Sequence, residues 1–234
     1  MKHIIQQLVM AVSLLAFTAL GADYVLKSGT TDWTKADSYE PSGNPGAGDT
    51  ILLPANETFE VDAASASFAT LSGVKRIKPA SGSRLVLTVA DGEKTLGCAF
   101  NNGGEEKKGA DIGVLVKRGA GLLNLGSDGR IVGTDGYFYD YCAGITLEQG
   151  SLALVAEVAS GRTAYGHLAS SNDTTLVVSP GAVNDWATFA SVWCDGDIVN
   201  ESDSAQRVIS ISSGRQSRIA GTVSGKIRFW KSDP

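Results

Sequence analysis

Two stretches thirty residues apart carry the same punctuation, and this repetition constrains the fold more than any other feature of the chain. Leu115–Leu125 reads LVKRGAGLLNL and Ile145–Leu154 reads ITLEQGSLAL, in each case a short apolar strand, a glycine corner and a second strand. Aligned on that pattern, Leu115 is level with Ile145 and Leu122 with Leu152. A strand of four or five residues cannot bury its own apolar face. Stacking equivalent strands from successive coils buries it and pairs the backbone groups along the stack. Glycine at the corner permits a positive φ, where a β-carbon would clash.

Other segments follow the same period of two. Leu85, Leu87 and Val89 share one face, and short apolar runs recur at Gly113–Val116, Thr175–Val178, Val208–Ile211 and Lys226–Trp230. Glycine supplies 28 of 234 residues, about 12 % against a typical 7 %, which suits many turns and short strands. Segments with a 3.6-residue period are short and broken, so no helix is expected after the leader. The polar stretches Ser38–Asp49, Asn101–Ala110 and Asn200–Gln206 read as excursions from a core. The residues alone therefore predict a repetitive all-β fold, with a β-sandwich as the alternative of similar strand spacing.

The first residues fix the expected compartment. Lys2 precedes an apolar run, Leu8–Leu20, and Ala19-Leu20-Gly21 places small residues where a signal peptidase cuts before Ala22. The run is shorter than the roughly 20 residues that span a bilayer, so residues 1–21 read as a secretory leader and 22–234 as a single domain, soluble or surface-attached by other means. Within it, 22–110 would form the N-terminal coils and cap, and 111–234 the repeat-bearing coils. Cys98, Cys142 and Cys194 match no metal-ligand spacing and read as small buried apolar residues, any pairing among them being left open. The formal net charge of −5, with scattered Lys and Arg, argues against nucleic acid as a partner.

At its corners the sequence resembles the autotransporter-associated β-strand repeat of bacterial passenger domains. Lys117, Gly119, Gly121, Leu123 and Leu125 follow the first half of that repeat, and Gly144, Thr146, Gly150, Leu152 and Leu154 the second. Trp33, Pro45, Gly48, Asp49 and Thr50, followed by Ile51-Leu52-Leu53, are similar to the opening of large repetitive surface proteins. The resemblance implies a right-handed parallel β-helix, or solenoid, with loop excursions, exported to the cell surface in a structural or adhesin-like role. It implies no catalytic residues. Tyr137–Tyr141 departs from the family pattern, and no translocator barrel follows the repeats. The stop at Trp230–Pro234, just after a strand pattern, reads either as a piece of a longer chain or as an end closed by self-association.

A search for chemistry returns little. His167 is the one histidine beyond the leader, in a small-residue stretch that reads as an ordinary loop or turn. No Asp-Asp pair provides the two carboxylates of a glycosidase, and Arg76-Ile77-Lys78 lacks the companion motifs of a polygalacturonase. Asp195-Gly196-Asp197 is the closest approach to a cation loop, a weak candidate better read as a solvated turn. Tyr137, Tyr139 and Tyr141 share one face if extended and are candidate glycan contacts, while Trp186 and Trp193 read as local packing. The expectation is a non-enzymatic surface protein without a cofactor, whose partners are glycan or cell-surface components. The alternative is a carbohydrate-binding or polysaccharide-processing β-helix.

Overall fold

Each short strand buries one face by lying on its counterpart in the next coil, and the computed structural model shows how far that stacking runs. It describes residues 21–100, 113–125, 144–154, 162–178, 186–202, 206–211 and 216–231. The chain winds as a parallel β-solenoid of about six turns. Parallel pairing between successive coils excludes the sandwich, which is built from antiparallel sheets.

The N-terminal coils contain β1 (Asp23–Leu26), β2 (Tyr39–Glu40), β3 (Thr50–Leu53), β4 (Thr58–Asp62) and the helix α1 (Ala66–Ser72). Strands β5 (Arg76–Pro79), β6 (Arg84–Thr88) and β7 (Glu93–Leu96) make the next coil. It is followed by β8 (Ala99–Phe100), β9 (Val114–Arg118) and β10 (Leu122–Leu125). Then come β11 (Gly144–Leu147), β12 (Gly150–Leu154), β13 (Arg162–Ser170), β14 (Thr174–Val177), β15 (Trp186–Cys194) and β16 (Asp197–Val199). The last coils hold β17 (Arg207–Ile211), β18 (Arg218–Ile219), β19 (Val223–Ser224) and β20 (Ile227–Lys231). Three sheets result. Sheet 1 runs β2-β1-β3-β5-β8, sheet 2 runs β20-β17-β15-β13-β11-β9-β6-β4 with β18 beside β15, and sheet 3 runs β19-β16-β14-β12-β10-β7.

The register bears out the thirty-residue repeat and corrects one half of it. Leu115 lies opposite Ile145, but Leu152 lies opposite Leu123 rather than Leu122. The corner through Gly119 and Gly121 is one residue longer than the corner at Gly150, so the second strand slips by one. The preceding coil, with Leu85 opposite Leu115, has the same length, and the later coils are shorter, with Leu168 opposite Val192 and Val208 opposite Arg228. The interior of sheet 2 is a ladder of Phe59, Leu85, Leu115, Ile145, Leu168 and Val192, none more than 2 % exposed.

A helix is present where none was expected. Ser65 caps α1 by accepting the Phe68 N–H at 3.2 Å, and the helix buries Phe68 and Leu71. At this end Trp33 is fully buried with its ring edge-on to Phe59, the centroids 6.0 Å apart. Tyr39 Oη donates to Trp33 O at 2.7 Å, and Trp33 N donates to Ser67 Oγ at 3.0 Å. The loop that the sequence flagged around Trp33 is thus the plug of the first coils. Asp49 ties it down, its two carboxylate oxygens accepting from Ala22 N and Gly46 N at 2.7 Å each.

At the corners the predicted glycines have the predicted conformation, φ +81° at Gly119 and +67° at Gly150. Lys117 is the one inward residue of its ladder that carries charge, lying between Leu87 and Leu147. It is fully buried and turns its ammonium onto the carbonyls of Gly119, Gly121 and, at 3.0 Å, Gln149. Two further positions of the same ladder use the device in neutral form. Ser170 Oγ donates to Cys194 Sγ at 3.0 Å and accepts from Gly196 N at 3.2 Å.

Candidate functional site

The outer face of sheet 2 gathers the exposed side chains with the most chemical character among the described residues. Val192 and Cys194 of β15 point into the core, so the pleat turns Trp193 outward. Its indole is 49 % exposed, which corrects the expectation that it serves local packing. Ala169 of β13 lies in register on one side and Arg218 of β18 on the other. Ala169 is exposed and small, so nothing from that position covers the flank of the ring. Thr146 is at the corresponding position of β11.

Polar groups frame the ring. The Arg218 guanidinium pairs with Asp195 at 3.0 Å. His167 stands in register with Ser191, its Nδ1 within hydrogen-bonding distance of the serine hydroxyl. The histidine is therefore a strand residue on an open face and not part of a turn. Two coils away, Arg118 bridges Glu148 at 2.6 Å and Glu60 at 3.1 Å, while Arg84 reaches Glu148 at 3.8 Å. The Arg118–Glu60 pair crosses β6 and the Arg84–Glu148 pair crosses β9. Beneath those crossings Val86 and Val116 point outward yet are 1 % and 0 % exposed. Glu148 and Glu60 also hold Arg118 firmly in its charged form.

The sequence carries a signal for this network. Arg118 and Glu148 are separated by the same thirty residues that relate Leu115 to Ile145, so stacking the apolar positions also stacks opposite charges.

The other candidates fall out as follows. Asp195 follows β15 and Asp197 opens β16, and a separate protein partner occupies each, Arg218 for the first and the Thr222 N–H at 2.8 Å for the second. Among the described residues no three His, Cys, Asp or Glu side chains converge as metal ligands. Tyr137, Tyr139 and Tyr141 lie outside the described residues, as does Cys142. Trp186 lies on β15 beside Arg162 and Val208. Cys98 and Cys194 are free and buried. Burial pushes the Cys98 thiol up to about 12 and raises that of Cys194, so both are unreactive thiols, the second hydrogen-bonded to Ser170 and Gly196. A shallow groove of about 560 Å³ separates α1 from β7. Its small residues and the Ser72 hydroxyl, which accepts from Gly97 N at 2.7 Å, offer no converging reactive groups.

No family model, curated protein or solved structure matches the chain.

Proposed function

We propose that the chain is an exported scaffold displayed at the cell surface, adhesin-like and without catalytic activity, of the kind built from autotransporter-associated β-strand repeats. The observation that carries this reading is the interior ladder from Phe59 to Val192, which devotes the repeated part of the sequence to a stiff stacked core. Its outer face then presents side chains in fixed register. The leader supports export, and so does the position of Ala22. Its nitrogen already donates to Asp49 Oδ1. Cleavage before Ala22 converts that amide into an ammonium and the contact into an ion pair. The open edge of β20 supports self-association. Among the described residues β20 is paired on one side only, and its Phe229 and Trp230 are 41 % and 44 % exposed. A second copy would cover them.

Expression of the full reading frame in a bacterial host, with fractionation and N-terminal sequencing of the product, tests the reading. A surface or extracellular product beginning at Ala22 is expected. A cytoplasmic product that keeps Met1 would overturn the export claim, and release of unsaturated uronate from a polysaccharide would overturn the non-enzymatic one.

A further inference from the structure

From the outer face of sheet 2, we infer a binding site for an uncharged oligosaccharide, with Trp193 as its stacking platform. The chemistry of the frame selects the ligand. An indole that is half exposed on a flat sheet offers its π face to the C–H face of a sugar ring, and polar groups beside it meet the hydroxyls. Those groups are in place. Asp195 and Arg218 are held against each other at 3.0 Å on one side of the ring, and His167 is anchored to Ser191 along the strand.

The floor is low where the ligand would lie. Ala169 and Thr146 occupy the two positions of the Trp193 ladder on β13 and β11. Beyond them the Arg84–Glu148 pair forms the far border. Three strand spacings separate β15 from β9, about 14 Å, which is room for a short oligosaccharide along the solenoid axis.

Charge decides against the other ligand classes. Arg84, Arg118 and Arg218 are matched by Glu60, Glu148 and Asp195, all six engaged in ion pairs across the face. None of these three guanidiniums, the described ones around the Trp193 ring, is left over for a phosphate or a uronate. The other exposed rings described on this sheet, Phe229 and Trp230, lie apart on its edge strand β20, so an apolar peptide at Trp193 would bury one ring and strand the polar border.

The site is independent of export, so failure of either idea leaves the other standing. The test is calorimetric titration of the full mature chain with cello-, xylo-, malto- and chito-hexaose. At least one is expected to bind. Trp193→Ala and, separately, Ala169→Arg, which fills the floor, are each expected to weaken that binding about tenfold or more. Trp230→Ala, at the far edge of the stack, should leave it unchanged. Circular dichroism and thermal melting establish that each variant is folded. The inference is overturned if no hexaose binds at millimolar concentration, if hexagalacturonate titrated alongside binds and the neutral hexaoses do not, or if binding survives both floor and platform variants.

Discussion

Lys117 sits where a leucine belongs. Its neighbours above and below in the ladder are Leu87 and Leu147, and it remains in the core because three corner carbonyls need a donor. Burial lowers its pKa from 10.5 to about 8. An unfolded chain holds that proton up to about pH 10.5, whereas the folded chain releases it near 8. Between those values the unfolded state binds more protons, so this residue's contribution to stability grows as pH rises. Lys117→Met removes both effects. The variant should melt lower than wild type at pH 7, by about 1–3 kcal/mol for the stranded carbonyls. The gap should widen by pH 10, a trend that paired thermal melts will read directly. The sequence marked Lys117 through its resemblance to the repeat. It did not mark the lysine as an interior group, because an isolated lysine next to arginine looks like a solvated pair.

Corners decide which elements exist. A β-carbon at Gly150 would stand 2.4 Å from Gly119 O and 2.7 Å from Lys117 Nζ, and the backbone there is left-handed. At Gly92 φ is +62° with no atom within 4 Å. Gly92→Ala should therefore cost about 1 kcal/mol, the conformational penalty alone. Gly150→Ala should cost clearly more, about 3 kcal/mol, because a neighbouring coil must also move. Urea denaturation of the two variants separates these terms. Glycine corners and strands with aliphatic inward residues were readable for this reason, since Leu85, Leu87 and Val89 all lie in the core as their alternation requires. The helix α1 was not readable. Seven residues are two turns, too few for a 3.6-residue period to emerge, and its cap is an ordinary serine. The runs at Thr175–Val178, Val208–Ile211 and Lys226–Trp230 did mark β14, β17 and β20, but the long strands β13 and β15 were illegible for a different reason. Ser170 and Ala187 fill inward positions there, so apolar spacing no longer marks the strand.

At the scale of the molecule, each coil touches mainly the coils before and after it, and stability becomes a sum over neighbours. Leu115→Ala, in the middle of the stack, should cost about 2–5 kcal/mol. It should lower hydrogen-exchange protection on both sides, in β6 and β11 alike. Trp33→Ala should loosen the first coils and leave β14 and β16 protected. Uniform loss of protection in both variants would contradict a nearest-neighbour stack. The period itself was legible in the sequence only where two coils happened to share a length, because Leu115 meets Ile145 after thirty residues while Val208 meets Arg228 after twenty.

The hydrogen bonds between coils point along the axis of the stack. Tension applied at the two ends therefore loads them one layer at a time instead of shearing a whole sheet at once. A tethered molecule would pay out chain in steps, each freeing a coil of twenty to thirty residues, or about 70–100 Å of extended backbone. Such a rod yields gradually under a tug and rewinds from whatever layers remain.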